Sequence, residues 1–88
     1  MNLNRGQNMQ TKLTADKMKI GKPYTVKALS CTGELRRRII DMGITPGAKI
    51  IMKRIAPFGD PIEYNVRGYA LSMRKSEASH IILDEVTK

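Results

Sequence analysis

The densest group of charged side chains in this 88-residue sequence is the run of three arginines Arg36, Arg37 and Arg38. The run falls in a segment with helical periodicity, where successive positions lie about 100° apart, so the three cannot form one flat patch. Two of them can face a common partner, and Arg37 can pair with Asp41 one turn further on. Two interpretations stay open, a solvated helix flank and a docking surface for an acidic partner. Arg36 and Arg37 are therefore candidate partner contacts.

Residues that metal binding or nucleophilic catalysis requires are scarce. Cys31 and His80 are the only cysteine and histidine, far apart in the chain and with few carboxylates near either, so we predict no metal site. Only one histidine is available to activate a serine or threonine. The stretch from 31 to 34 lacks the glycines and the lysine of a phosphate-binding loop. We expect Cys31 to be a small apolar residue and His80 a surface residue at the edge of a strand, in a non-enzyme without a cofactor.

A third candidate contact is Phe58, the only phenylalanine, which lies in the turn signal Pro-Phe-Gly-Asp-Pro at residues 57–61. A lone aromatic residue at a loop tip more often folds back onto its domain, and that is the placement we expect here. An exposed ring would be a natural contact residue. Phe58 therefore joins Arg36 and Arg37 in the predicted partner-binding set.

The charge balance favours an acidic partner, because sixteen Lys and Arg stand against eight Asp and Glu, a formal charge of +8. Nucleic acid, anionic lipid and an acidic protein all fit such a charge. The aromatic residues that single-strand binders stack on bases are nearly absent. No apolar run resembles a signal peptide or a membrane span, so we expect a cytoplasmic protein that is not embedded in a membrane.

The strongest structural pattern lies in residues 60–75, where apolar and polar side chains alternate at period two on both sides of Arg67 and Gly68. A two-residue loop there, with Gly68 supplying the positive φ, predicts a hairpin whose six apolar side chains share one face and form a wall of the core. The turn type stays open, because arginine is not the residue that a type I′ turn prefers. The predicted pairs are Val66 with Tyr69, Tyr64 with Leu71, and Ile62 with Met73.

The remaining predicted elements are short. Thr14 can cap a helical segment over residues 15–19, a strand follows at 24–29, and Thr32 can cap a helix over 33–42 whose apolar stripe contains Ile39. Gly43 ends that helix, with Ile44 contacting Ile39 as in a Schellman stop.

Pro46 and Gly47 occupy the centre of a predicted type II turn before a strand at 49–56. The successive apolar residues 50–52 in that strand indicate either two covered faces or a bulge. Ser76 can cap a single helical turn through residue 79, and residues 81–86 form the last predicted strand. Residues 1–12 are expected to be a flexible N-terminal extension, and residues 13–88 one domain. The sum is a small, mostly antiparallel barrel of about five strands.

The order of these motifs resembles the FeoA family. The resemblance rests on Thr32-Gly33-Glu34-Leu35 and the three arginines, on residues 42–47, on the 57–61 turn and on residues 67–74, and it extends from about 13 to 86. It implies an SH3-like barrel, located in the bacterial cytoplasm, that acts as a small accessory protein of ferrous iron uptake. The implied partner is the membrane permease FeoB, whose cytosolic portion binds GTP. A similar domain ends the iron-dependent repressors of the DtxR type, which suggests an interaction module.

The leading functional hypothesis is therefore a non-catalytic module that docks on the cytosolic GTP-binding portion of a FeoB-type permease. The alternative is a basic small barrel that binds nucleic acid or belongs to a regulator, although no stable nucleic-acid complex is expected. Direct iron binding is disfavoured by the ligand count. Residues predicted to serve the fold rather than a partner are the turn residues Gly43, Pro46, Gly47 and Gly68 and the core residues Tyr64 and Leu71.

Overall fold

Five strands, two α-helices and one 3₁₀ turn follow one another in residues 13–84, which are the residues that the computed structural model describes. The sheet has the order β4-β3-β2-β1-β5 with every neighbouring pair antiparallel. This confirms the predicted mostly-β architecture with a helix between the first two strands. The elements are the 3₁₀ turn Ala15–Lys17, β1 Pro23–Leu29, α1 Gly33–Asp41, β2 Lys49–Ile55, β3 Ile62–Val66, β4 Tyr69–Met73, α2 Lys75–Ala78 and β5 Ile81–Asp84.

The core is aliphatic, as the composition predicts, and Tyr64 is its largest fully buried side chain. The Tyr64 hydroxyl donates a hydrogen bond of 2.7 Å to the carbonyl oxygen of Ala15, which satisfies the polar end of the ring inside the core. Burial raises the pKa of the Tyr64 phenol, since the phenolate would lose its hydration there. The other fully buried large side chains are Val26, Ile39, Ile44, Ile50, Met52, Ile62, Val66, Met73 and Ile81.

The β3–β4 hairpin has the predicted register, with Tyr64 opposite Leu71 in its centre. Arg67 and Gly68 both have positive φ, of 54° and 88°, which is the combination of a type I′ turn. The prediction that all six apolar residues form the core wall is wrong for Tyr69, whose side chain is 75% exposed, and Leu71 is only half-buried. The alternation assigned the correct face, but the tip of the hairpin extends beyond the core.

Helix α1 ends as predicted and begins differently. Gly43 has a φ of 92°, and the N–H of Ile44 donates 3.2 Å to the carbonyl of Ile39, which is the Schellman pattern. Thr32 occupies the N-cap position, but its side chain makes no capping hydrogen bond. The next residue, Gly33, has a φ of 64°, so the entry into the helix relies on glycine geometry rather than on a hydroxyl cap.

The connection into β2 is the predicted type II turn. The N–H of Ala48 donates 2.9 Å to the carbonyl of Thr45 across Pro46 and Gly47, and Gly47 has the required positive φ. Within β2 the register shifts between Met52 and Arg54, so the bulge alternative applies to this strand.

Several boundaries differ from those expected, including one-residue differences at the start of β1 and at the ends of α1 and β2. The first helical segment is a 3₁₀ turn that ends at Lys17. The last helix begins at Lys75 with Arg74 as its N-cap, because the Glu77 carboxylate accepts the Arg74 N–H at 2.9 Å, and Ser76 lies inside the helix instead of capping it. The final strand is described to Asp84. The predicted extension at 1–12 and the end of the predicted last strand at 85–86 lie outside the described residues.

Candidate interaction surfaces

The outward side of α1 carries two of the three arginines. Gly33, Arg36, Arg37 and Ile40 recur at helical spacing and line one shallow depression, which we call the basic helix face. Ile39, on the opposite side of the helix, is fully buried in the core. Helix periodicity thus separates an apolar inner stripe from a basic outer face with one half-exposed isoleucine at its centre.

The third arginine is used within the fold. Arg38 forms an ion pair with Glu77 and thereby ties α1 to α2. The possible pair between Arg37 and Asp41 is not formed, because the ion pairs found within residues 13–84 do not include it. An arginine that precedes its acid by one turn has the less favourable orientation relative to the helix dipole, and an exposed pair of this kind is worth only about 0.3–0.5 kcal/mol. In the described part of the chain, neither Arg36 nor Arg37 has an ion-pair partner.

Phe58 projects into solvent. Its side chain is 99% exposed, so the expectation that the ring folds back onto the barrel is wrong. The loop around it, residues 56–61, is closed by backbone hydrogen bonds from Gly59 N–H to the Ala56 carbonyl at 2.8 Å and from Ala56 N–H to the Pro61 carbonyl at 3.1 Å. We call this segment the Phe58 loop. Its backbone is satisfied without the ring, and the ring therefore has no anchoring role.

A second anchor joins the Phe58 loop to α2. The Asp60 carboxylate accepts the backbone N–H of Lys75 at 2.7 Å and lies 4.0 Å from the Arg74 guanidinium. On the other side of the loop, Arg54 forms a 2.7 Å ion pair with Glu63 across β2 and β3. Beside the loop lies a cleft of about 450 Å³, lined by Arg54, Ile55, Ala56, Pro57, Pro61, Glu63 and Ser72.

Arg67 has a role that the sequence did not reveal. From the hairpin tip its Nε donates 3.0 Å to the carbonyl of Gly43, and its Nη2 donates 2.9 Å to the hydroxyl of Thr45. The guanidinium thus connects the β3–β4 turn to the segment that follows α1. Two-residue turn chemistry predicts where the chain reverses but not which distant carbonyl a long side chain reaches.

Cys31 and His80, the residues considered for metal binding and catalysis, pack and form hydrogen bonds within the fold. Cys31 is buried, as expected for a small apolar residue. His80 is half-buried rather than exposed, and its Nδ1 lies 3.2 Å from Ser30 Oγ, beside the 2.8 Å backbone bond from Ser30 N–H to the His80 carbonyl. No third group within residues 13–84 forms an ion pair with this histidine. The described residues also contain no cluster of three side chains with metal-ligating atoms.

The structure places Arg36 and Arg37 together and puts Phe58 in a different region. The connection between them runs through α2, which holds the Phe58 loop at Lys75 and α1 at Glu77. The sequence analysis missed the cations that flank the loop, because they come from β2 and from the start of α2. None of the helices described in residues 13–84 has the length and apolar content needed to cross a bilayer.

Comparisons with known proteins confirm the predicted resemblance. The FeoA domain model matches residues 13–85. A curated relative, the Fe(2+) transport protein A/Fe(2+) transporter FeoB fusion protein of Porphyromonas gingivalis, is 33% identical over 55 residues. That match covers 62% of this chain and 6% of the fusion protein, so the chain spans a small part of its relative's length.

Solved structures of FeoA-type proteins share the fold, and two of them illustrate the similarity. An FeoA-like protein from Clostridium acetobutylicum superposes with a TM-score of 0.79 at 36% identity, with 91% of this chain and 93% of that chain covered. A zinc-complexed FeoA from Stenotrophomonas maltophilia, described as a procaryotic SH3 domain protein, superposes with a TM-score of 0.73 at 21% identity, covering 82% and 89%. The fold is therefore SH3-like, as predicted.

Proposed function

Because the chain belongs to the FeoA family, we propose that it is a non-catalytic accessory protein of ferrous iron uptake that docks on the cytosolic GTP-binding portion of a FeoB-type permease. The observation that carries the proposal is the relative in which Fe(2+) transport protein A is fused to the transporter FeoB. Fusion keeps two modules at high effective concentration, an arrangement that benefits parts that act in contact. A partner with a cytosolic portion implies that this domain acts in the cytoplasm.

The basic helix face is the proposed protein contact. Arg36 and Arg37 are exposed, and Ile40 between them is 36% exposed, so charge and apolar area lie side by side. Arginine is enriched at interfaces because its planar guanidinium pairs with carboxylates and also packs against apolar groups. An acidic patch on the permease domain would complement this face. Phe58, the third predicted contact, lies in a separate region, so the proposed permease contact consists of the basic helix face alone.

A titration of the permease's soluble GTP-binding portion, with and without nucleotide, tests the docking. We expect wild-type binding with resonance shifts in α1, and we expect Arg36→Glu combined with Arg37→Glu to weaken it at least about tenfold, since reversed charges repel an acidic partner. The matched control is Lys27→Glu combined with Lys49→Glu, which changes the net charge equally at exposed positions on β1 and β2. The control should stay within about threefold of wild type.

Two outcomes would contradict this proposal. Absence of binding at high micromolar concentration, with every variant folded, would remove the docking itself. Equal weakening by both double variants would show that only net charge matters. In that case a parallel titration with duplex DNA becomes decisive, because binding that falls steeply with salt would support the nucleic-acid alternative.

A further inference from the structure

The Phe58 loop presents an apolar crest to solvent. Phe58 is almost fully exposed, Pro57 and Pro61 are exposed beside it, and Ile55 at the end of β2 is 42% exposed. The loop's own backbone bonds and the Asp60 contact with Lys75 hold this crest in place. A single exposed ring is common, but here the ring, two prolines and an isoleucine are exposed together, and such an apolar patch is typical of interaction sites.

Cations flank the crest on both sides. Arg54 of β2 lines the cleft beside the loop on one side, and Arg74 and Lys75 at the start of α2 contact Asp60 on the other. All three are exposed, as is Lys53, which precedes Arg54 in β2. The Lys75 ammonium lies next to Gly59 of the Phe58 loop. Its nitrogen is 3.7 Å from the position that a Cβ atom would have on that glycine.

The carboxylates near the crest are already engaged within the fold. Glu63 pairs with Arg54, and Asp60 accepts the Lys75 N–H and approaches Arg74. Lys53 and Lys75 have no ion-pair partner among the described side chains. The surroundings of the crest therefore carry a net positive charge.

We infer that the Phe58 loop binds the surface of an anionic lipid bilayer, with the ring in the boundary between headgroups and acyl chains and the flanking cations at the lipid phosphates. Apolar side chains on one part of a surface with Lys and Arg around them are the general composition of peripheral membrane contacts. The long basic side chains can keep their charges at the headgroups while the ring enters more deeply.

A bilayer fits this geometry better than a protein does. A ring that is exposed on nearly every side needs a deep matching pocket in a protein partner, and it offers little flat area around it for a stable interface. A fluid lipid surface accepts a protruding ring at any position, and its phosphates accept hydrogen bonds from cations on either side. The inference rests on the loop alone and holds whether or not the basic helix face docks on a permease.

A single tryptophan reports the insertion directly, because the sequence contains no tryptophan. Phe58→Trp should move its fluorescence to shorter wavelength on vesicles of phosphatidylcholine with phosphatidylglycerol, and much less on phosphatidylcholine alone. Tyr69→Trp is the matched control at the other exposed aromatic position, at the opposite end of β3. We expect no shift from that position.

Sedimentation with the same vesicles measures the contributions of the ring and of the charges. Phe58→Ser should weaken binding to anionic vesicles at least about fivefold, since the inserted apolar area is lost. Lys53→Glu combined with Lys75→Glu should abolish binding, and Lys27→Glu combined with Lys49→Glu should weaken it less. Thermal melts of every variant establish that each one is folded.

Three results would overturn the inference. One is the same fluorescence response from Phe58→Trp and Tyr69→Trp, and another is unchanged vesicle binding by folded Phe58→Ser. The third is a quenching of Phe58→Trp fluorescence by single-stranded DNA without any response to vesicles, which would indicate base stacking. The vesicles contain no permease, so failure here leaves the proposed docking standing, and failure of the docking leaves this result standing.

Discussion

The two connections at the ends of β3 are similar in local chemistry and opposite in what they do. The Phe58 loop precedes the strand and the Arg67–Gly68 turn follows it. Each contains a glycine with φ near +90°, at Gly59 and Gly68, and each has a strongly exposed aromatic residue at or beside it. At one end Arg67 reaches across to the segment after α1, whereas at the other end Phe58 is almost fully exposed.

The difference shows that turn chemistry and availability for binding are separate properties. In the Arg67 turn the polar atoms of a long side chain find two acceptors within the domain, so the turn is part of the architecture. In the Phe58 loop the inward contact is made by Asp60, which leaves the apolar residue outside. A glycine-supported reversal can therefore hold its projecting side chain within the fold or leave it exposed to solvent.

The largest expected effect is unfolding of the whole domain, which disrupts the connections at both ends of β3. Tyr64→Asp buries an unpaired carboxylate in the middle of β3, at a cost of about 4 kcal/mol or more, which is comparable to the whole stability of a domain of this size. We expect an unfolded protein by circular dichroism and by amide resonance dispersion. Tyr64→Phe, which loses only the hydroxyl bond to Ala15, should stay folded at a cost of about 1–2 kcal/mol. A folded Tyr64→Asp variant would contradict the assignment of Tyr64 to the core.

Alkaline pH tests the burial of Tyr64 in the centre of β3. The pKa of Tyr64 is raised by burial above its unfolded value near 10, so the stabilising contribution is complete below about pH 10 and decreases as pH rises beyond that value. The decrease should approach roughly 1.4 kcal/mol per pH unit between these two pKa values. Urea melts at several alkaline pH values should show a shallower loss for Tyr64→Phe. An unchanged pH dependence in Tyr64→Phe would refute the burial effect.

Loss of the Arg67 contacts should destabilise the domain moderately. Arg67→Ala removes two charge-assisted hydrogen bonds at an exposed position, with an expected loss of about 1–2 kcal/mol in urea melts. Arg67→Gly removes the same bonds but relieves the positive φ of 54°, so its loss should be smaller. Amide resonances near Gly43 should shift in both variants. A larger loss of stability for Arg67→Gly than for Arg67→Ala would contradict the positive φ of residue 67.

The smallest expected effect on stability comes from a substitution in the Phe58 loop, at the other end of β3 from Arg67. Phe58→Ser should change the free energy of unfolding by no more than about 0.5 kcal/mol, because the ring buries almost no area in its own fold. The same urea melts measure it. A loss above about 1 kcal/mol would place the ring against the domain in solution and erase the contrast between the two connections.

Local patterns predicted the parts of this fold that depend on neighbours in sequence. Period-two alternation and Gly68 fixed the hairpin register, Gly43 predicted the end of α1, and Pro46 with Gly47 predicted the turn before β2. The pattern did not show how far the core extends along the hairpin, which is why Tyr69 was misplaced. The Arg38 pair with Glu77 and the Arg67 contacts join residues that are distant in sequence, and no local pattern encodes such meetings.

The candidate surfaces also divide into features that local sequence predicts and features that depend on residues distant in sequence. Helical spacing predicted that no more than two of the arginines face one way, and Arg36 with Arg37 do share a face in the structure. The exposure of Phe58 depends on which backbone groups close its loop, and the sequence does not reveal these hydrogen bonds. The cations beside it belong to two elements that meet only after folding, so the sequence offered no sign of a combined apolar and basic surface.

The pairing at the start of the described chain has a topological consequence. Leu13 accepts the N–H of Leu83 at 2.8 Å, and Thr14 bridges Ile82, so the first and last described residues run side by side at the edge of β5. The described chain therefore begins and ends at one corner of the fold. The Phe58 loop is anchored elsewhere, at the start of α2.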